Sequence, residues 1–183
     1  MMAETERKEI IKRLKKIAKH LNSGWRTKFK MLADTDIHWR ISKDVEIKRL
    51  IKEMRKAFQA KTAKEGICKP IVFINKQWTL KLGENAVDEA ELYKKMKDYG
   101  LQKYCVPTVR VGQTGCLQLT VEPLDLAYSA NREEVEEFWK DNKKWRNQFE
   151  QMAFEDIHIG NVGTYNGELY CFDFGSPATL YDY

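Results

Sequence analysis

The stretch that decides how this chain folds and works reads Asp156-Ile157-His158-Ile159-Gly160-Asn161, followed twelve residues later by Asp173-Phe174-Gly175. A carboxylate at Asp156 can accept a proton from an attacking hydroxyl. The amide oxygen of Asn161 and the carboxylate of Asp173 are hard oxygen ligands that can hold Mg²⁺ against nucleotide phosphates. An acid, an amide and a second acid at this spacing therefore indicate a magnesium-dependent phosphoryl-transfer site.

The same residues have a simpler interpretation as a polar loop and a hairpin. Asp, Asn and Gly cluster in turns, and Thr164-Tyr165-Asn166-Gly167 is a strong hairpin signal. This interpretation does not account for Asp173, which lies between two apolar segments, Leu169-Tyr170-Cys171-Phe172 and Phe174. An unpaired carboxylate costs free energy there, so we expect a metal or a hydrogen-bond donor beside it.

The two motifs resemble the catalytic loop and metal-binding motif of the protein kinase-like superfamily. The resemblance is closest to short bacteriophage-encoded serine/threonine protein kinases and aminoglycoside-phosphotransferase-type kinases. It implies that Asp156 is the catalytic base, that Asn161 and Asp173 bind Mg²⁺, and that ATP is the phosphoryl donor. It also implies an α+β fold: a minimal bilobal kinase-like fold with a truncated C-terminal lobe and an added N-terminal helical region.

A lysine in an apolar strand is the next candidate. Ile71-Val72-Phe73-Ile74, a turn at Asn75-Lys76 and Trp78-Thr79-Leu80-Lys81-Leu82 predict a hairpin. A buried ammonium at Lys81 needs a carboxylate or phosphate partner, whereas on an edge strand it could extend into solvent. By the resemblance, Lys81 is the phosphate-binding lysine.

A helix is predicted from Val87 to Tyr99, and Glu89 and Glu91 on it are candidate partners of Lys81. By the resemblance, Glu89 is the first candidate and Glu91 the reserve. Strands are predicted to open at Val106-Pro107-Thr108-Val109 and to follow at Leu117-Gln118-Leu119-Thr120-Val121. By the resemblance, Glu122-Pro123-Leu124 is the hinge between the lobes, and backbone groups at Glu122 and Leu124 bind the adenine edge.

The segment after this hinge is predicted to be one helix. Asn131 and Glu134 form a candidate capping box, and the helix is expected to continue to about Met152 and lead to Asp156. Three features depart from the superfamily pattern. Phe154 and Glu155 stand where His and Arg are expected before Asp156. Only Gly66 stands where a glycine-rich loop is expected before Lys81, so either Lys69 or Lys76 covers the phosphates instead or nucleotide binding is weak. The C-terminal lobe is also expected to lack the helices that usually bind a peptide substrate.

Charge divides the chain. Residues 1–64 hold 19 Lys and Arg against 8 Asp and Glu, a net charge of +11, whereas the whole chain of 183 residues has a net charge of +5. Two amphipathic helices are predicted in this region, one ending near Gly24 and one from about Lys43 to Gln59. Their lysines either form solvated faces, the interpretation we favour, or bind nucleic acid or an acidic protein.

The sequence thus predicts three parts: a basic helical region at 1–64, a small lobe at 65–124 and a truncated C-terminal lobe at 125–183. A hydrophobic content of 43% supports a real core. No membrane-spanning segment is expected, and the scattered cysteines, without a CxxC pair, indicate reduced thiols and a cytoplasmic protein (host cytoplasm if viral).

Two functions remain open at this point. One is an ATP- and Mg²⁺-dependent phosphotransferase that acts on a protein serine or threonine. The other is a pseudokinase-like module that binds a host protein or nucleic acid without catalysis.

Overall fold

The computed structural model has a mixed fold of helices and two small antiparallel sheets, as the predicted α+β class requires. It describes residues 1–33, 49, 52, 53, 56, 62–65, 70–74, 76–124, 129–141 and 159–174. Within these residues, no helix is both long enough and apolar enough to cross a lipid bilayer.

The first element is helix α1, Glu4–Ala33, which is 30 residues long. Its apolar stripe, formed by Ile10, Leu14, Ala18 and Leu21, is buried, and the lysines between these positions are exposed. Helical spacing of apolar residues explains this division. The lysines of residues 1–21 are therefore exposed, and the binding of nucleic acid or an acidic protein by this face stays a prediction.

The predicted end of this helix at Gly24 is wrong, because α1 continues nine residues further, to Ala33. A single glycine inside a helix costs only about 1 kcal/mol relative to alanine. That cost is too small to end a helix whose preceding turns are packed against the core. Positions 49, 52, 53 and 56, inside the predicted second helix, are helical, and the rest of that helix lies outside the described residues.

The larger sheet has five strands: β1 (Thr62–Glu65), β2 (Pro70–Phe73), β3 (Trp78–Leu82), β4 (Thr108–Val111) and β5 (Gly115–Leu119). Their spatial order is β1-β2-β3-β5-β4, and every neighbouring pair is antiparallel. The predicted hairpin of β2 and β3 is confirmed. All five residues of β3 and all five of β5 are buried, so this sheet is covered on both faces.

Helix α2, Glu84–Lys95, follows β3 and covers the face of the sheet that carries Lys81 and Cys116. It begins three residues before the predicted start at Val87. Residues 96–100 continue in turns, and the Leu101 amide donates to the Met96 carbonyl at 2.9 Å, with Gly100 at φ 68°. This is a Schellman-type helix end, and a 3₁₀ turn, Leu101–Tyr104, comes next.

Helix α1 covers the opposite face. Ile10, Leu14 and Leu21 belong to the same hydrophobic cluster as Leu80 of β3 and Leu117 of β5. Side chains on alternate strand positions point to opposite faces, which puts Leu80 and Leu117 on this face and Lys81 on the other. The sheet is thus enclosed between α1 and α2.

The smaller sheet contains β6 (Glu122–Pro123), β7 (Val162–Tyr165) and β8 (Glu168–Cys171), in that order. The predicted turn between β7 and β8 is confirmed: Asn166 and Gly167 have φ values of 53° and 77°, as a two-residue hairpin of the primed type requires. The Val106 amide donates to the Cys171 carbonyl at 3.0 Å and so ties the segment before β4 to the end of β8.

Helix α3, Ser129–Asp141, begins two residues before Asn131. Asn131 therefore lies inside the helix and the predicted capping box is wrong; sequence patterns place helix ends only to within a few residues. The predicted continuation to Met152 lies outside the described residues, and a 3₁₀ turn, Ile159–Asn161, leads into β7.

Candidate functional site

The site is built around the ammonium group of Lys81 in the middle of the larger sheet. Lys81 lies on β3, between β2 and β5, and is 2% exposed. The alternative of a lysine extending from an edge strand is therefore excluded. Its Nζ donates to both carboxylate oxygens of Glu89, at 2.8 and 3.0 Å, and to Oδ1 of Asp173 at 3.2 Å.

Glu89 is the partner that the sequence predicted, and its side chain is fully buried. It lies on the face of α2 that packs on the sheet. Ala86 and Ala90 on the same helix pack against Cys116 of β5. The reserve candidate, Glu91, is wrong for this role: it forms an ion pair at 2.9 Å with Arg110 near the sheet edge. Two residues along a helix rotate a side chain by roughly half a turn, which explains the difference.

A second donor holds Glu89 in place, and the sequence interpretation did not include it. Nε2 of Gln118 donates to Oε1 of Glu89 at 2.6 Å and to Oγ1 of Thr108 at 3.1 Å. Gln118 lies on β5, on the same face as Lys81. A polar residue between Leu117 and Leu119 carries the same signal as Lys81 between Leu80 and Leu82, so this pattern could have identified it.

Asp173 follows β8 and has a backbone φ of 56°. Few residues other than glycine adopt this left-handed conformation, and aspartate is one of the more tolerant. The next residue is fixed as well: the Phe174 amide donates to Oε1 of Glu89 at 3.4 Å, and its ring is buried against Tyr93 with ring centroids 6.3 Å apart. The backbone after β8 is therefore clamped to α2.

Asn161 lies beside Asp173. Its Nδ2 donates to the backbone carbonyl of Asp173 at 3.0 Å, and its own carbonyl accepts from the Phe172 amide at 2.8 Å. Since the amide nitrogen is used in the first bond, the side-chain oxygen is the atom with which Asn161 could bind a metal.

The other predicted site residues that the structure describes are not among the contacts of Lys81 given above. Glu122 and Pro123 form the exposed strand β6, paired with β7, and Leu124 follows them half-buried. Lys76 is exposed in the turn before β3. Asp156, Gly175, Gly66 and Lys69 lie outside the described residues.

A metal bound by the described residues would take a carboxylate oxygen and an amide oxygen as its protein ligands. Among the residues that the structure describes, no group of three or more His, Cys, Asp and Glu side chains could hold a metal ion. Asp173 and Asn161 supply one carboxylate and one amide. This set suits Mg²⁺, which keeps several waters and commonly takes only one or two protein carboxylates.

Burial affects two groups near the cluster. It raises the pKa of the Tyr93 hydroxyl to about 12, and it raises the pKa of the Cys105 thiol well above its usual range. Both groups therefore stay protonated at neutral pH. Cys105, Cys116 and Cys171 are buried thiols, as expected from the sequence, and Cys68 lies outside the described residues.

Comparisons of this chain with protein-family models, with curated proteins and with solved structures found no match.

Proposed function

We propose that this protein is an ATP- and Mg²⁺-dependent kinase-like phosphotransferase whose acceptor is a serine or threonine of another protein. One observation carries the proposal: the buried Lys81 ammonium lies between the carboxylates of Glu89 and Asp173, at 2.8 and 3.2 Å. A lysine held by one acid on a helix and reaching toward a second acid is suited to bind the phosphates of a nucleotide.

The order of elements supports the same proposal. A lysine strand, a glutamate helix, two further strands, the segment at Glu122–Pro123 and then Asn161 and Asp173 follow one another along the chain. In a bilobal kinase-like fold, the first group of elements belongs to the small lobe and the last two residues to the C-terminal lobe. The adenine edge would be bound by backbone groups at Glu122 and Leu124.

The conformation of Asp173 is a second line of support. A non-glycine residue held at positive φ costs about 1–3 kcal/mol, and such conformations concentrate at functional sites. Here the strain turns the carboxylate toward Lys81 and leaves the backbone carbonyl facing the Asn161 amide. The strained residue is therefore the one whose side chain the proposed chemistry needs.

In the proposed site, Asp173 and Asn161 would hold Mg²⁺, which would neutralise charge on the phosphates. Lys81 binds phosphate oxygens, and Glu89 fixes the direction of its ammonium. Asp156 accepts the proton of the acceptor hydroxyl while the hydroxyl oxygen bonds to the terminal phosphorus of ATP. The bond from that phosphorus to the bridging oxygen breaks and ADP leaves. Most of the rate would come from positioning and charge stabilisation.

Incubation with labelled ATP, Mg²⁺ and generic protein substrates tests the proposal. Wild type should transfer label to serine or threonine, and Asp156→Ala should reduce the rate by two or more orders of magnitude while ATP still binds. Equal labelling by both proteins would reveal a contaminating kinase and would leave no support for transfer by this chain.

The second candidate is a pseudokinase-like binding module, favoured by the exposed basic face of α1, where Lys12, Arg13, Lys15, Lys16 and Lys19 are all exposed. Such a face suits an acidic protein or nucleic acid. Wild type that binds ATP but transfers no phosphate would favour the module. If the face contacts nucleic-acid phosphates, affinity should fall steeply with added salt.

A further inference from the structure

Helix α1 reaches the candidate site through one buried arginine. Arg7 is 3% exposed, and its guanidinium donates to Oη of Tyr93 at 3.0 Å, to the Cys105 carbonyl at 2.9 Å and to the Lys103 carbonyl at 3.1 Å. All three of these oxygens are uncharged. Burying a cation is costly unless its donors are used, so the position of the guanidinium is set by these three bonds.

The first bond fixes α2. Tyr93 is on the same helix as Glu89, four positions later, so the two side chains lie one above the other on one face. The Tyr93 ring also packs against Phe174, which immediately follows Asp173. A guanidinium on the Tyr93 hydroxyl therefore restrains both the helix that carries Glu89 and the residue next to Asp173.

The other two bonds fix the segment that supports the second acid. Cys105 pairs with Cys171 in an isolated parallel bridge, and the adjacent Val106 amide donates to the Cys171 carbonyl at 3.0 Å. Cys171 is the last residue of β8, two positions before Asp173. Arg7 thus contacts both the helix that carries Glu89 and the segment that pairs with the end of β8, two residues before Asp173.

We infer that Arg7 is a positioning residue and that α1 is a strap which sets the separation of Glu89 and Asp173, and with it the affinity for Mg²⁺ and nucleotide. This inference rests on the proposed function for its ligand. Its structural part, that Arg7 holds α2 against the segment 171–174, does not depend on that ligand. An α1 that moved away would loosen Asp173 without altering any residue of the site.

Two single substitutions test the inference. Arg7→Met removes the three hydrogen bonds and keeps an unbranched apolar stem, and Tyr93→Phe removes only the hydroxyl and keeps the ring on Phe174. Calorimetric titration with ATP in Mg²⁺ should give a dissociation constant about tenfold higher for each, the usual size of coupling between two sites. The double variant should be no worse than Arg7→Met alone, because both changes break the same connection.

Two controls separate positioning from loss of stability. Arg13→Met removes an exposed arginine of the same helix, which pairs with Glu9 at 3.3 Å. Ile74→Ala creates a core defect at a buried residue that is neither a hydrogen-bond partner of Arg7 nor the ring partner of Tyr93. Neither should change the dissociation constant for ATP in Mg²⁺. If Ile74→Ala weakens binding as much as Arg7→Met at equal loss of unfolding temperature, the inference is wrong.

Backbone hydrogen exchange supplies a readout without nucleotide. Arg7→Met should raise exchange at Phe174 and Val106, whose amides are bonded to Glu89 and Cys171, by about tenfold relative to Arg13→Met. Unchanged exchange at these two amides would overturn the inference. If wild type binds no ATP, the proposed function fails, and the exchange measurement still decides whether Arg7 positions the two segments.

Discussion

The carboxylate of Asp173 lies 3.2 Å from the ammonium of Lys81, although 92 positions separate them in the sequence. Lys81 is on the central strand of the larger sheet, and Asp173 follows the last strand of the smaller one. The pair therefore joins the two sheets at the point where Glu89 also reaches the lysine. Two carboxylates from different parts of the fold therefore fix the position of the ammonium.

Replacing the lysine should unfold the protein more readily. In Lys81→Met, the carboxylate of Glu89 stays fully buried but loses its cation, and we expect the free energy of unfolding to fall by about 3–5 kcal/mol. Urea denaturation measures the change. Lys97→Met, at an exposed position just after α2, should stay within about 0.5 kcal/mol of wild type. A loss below about 1 kcal/mol in Lys81→Met would mean that the buried pair is not formed.

Asp173→Asn should remove the metal dependence of nucleotide binding. Asparagine tolerates the positive φ of this position, so the backbone is kept while the charged ligand is lost. If the proposed function holds, Mg²⁺ strengthens ATP binding by wild type, and calorimetry should show the variant about tenfold weaker in Mg²⁺, or about 1.4 kcal/mol. Asp98→Asn, which is exposed, should behave like wild type. Equal Mg²⁺ dependence in both variants would exclude Asp173 as the ligand.

Structural features formed by residues close together in the sequence could be predicted, whereas contacts between distant residues could not. The hairpin of β2 and β3 and the turn at Asn166-Gly167 follow from local patterns, and the structure confirms them. The choice of Glu89 as the partner of Lys81 came from the resemblance to the kinase-like superfamily, and the structure contains this ion pair. Gln118 lies between two leucines, so the local pattern could have marked it as a buried polar residue, but its hydrogen bond to Glu89 depends on the packing of α2 on β5.

The role of α1 was the hardest to predict. Arg7 sits at the start of the stripe continued by Ile10 and Leu14, and a charged residue on an apolar stripe is a signal that could have been noticed. Its partners, however, lie 86 to 98 positions further along the chain. No periodicity within α1 identifies a hydroxyl and two carbonyls at that distance, so only the packed structure could reveal them.

The packing of α1 on the sheet predicts that this helix is part of the core. Leu14 is fully buried in the main hydrophobic cluster, and Leu14→Ala should lower the free energy of unfolding by about 2–5 kcal/mol through the cavity it leaves. The adjacent, exposed Lys15→Ala should change it by less than about 0.5 kcal/mol. Denaturation followed by circular dichroism should show one transition for both variants. A separate early melting of helix in wild type would contradict the docking of α1.

A second carboxylate beside Glu89 should make stability depend on pH. Gln118→Glu replaces the amide that donates to Glu89 at 2.6 Å with a group that repels it, so burial and like charge should raise the pKa of the introduced carboxyl. A carboxyl whose pKa is raised by folding keeps its proton longer in the folded state, so stability falls as the pH rises above the unfolded value.

The Gln118→Glu variant should therefore be close to wild type near pH 4, where the introduced carboxyl keeps its proton in the folded state, and about 3 kcal/mol less stable at pH 7. Denaturant midpoints measured across this range give the difference. Gln113→Glu introduces the same charge in the exposed turn between β4 and β5 and should show no such pH dependence. A Gln118→Glu deficit that is constant between pH 4 and pH 7 would show that lost packing, rather than charge, is responsible.

At alkaline pH, two buried tyrosines should control the loss of stability. Burial raises the pKa values of Tyr93 and Tyr170 from 10.0 to about 12. Between these values the unfolded chain has lost protons that the folded chain keeps, so the free energy of unfolding falls as the pH rises. Each tyrosine contributes up to about 1.4 kcal/mol per pH unit.

Tyr93→Phe should reduce the fall in the free energy of unfolding with pH, measured by denaturation at intervals from pH 9.5 to pH 12. The control is Tyr99→Phe, whose ring is 55% exposed. Identical slopes for the two variants would mean that the Tyr93 hydroxyl ionises as readily in the folded protein as in the unfolded chain, and that the contact with Arg7 does not exclude water.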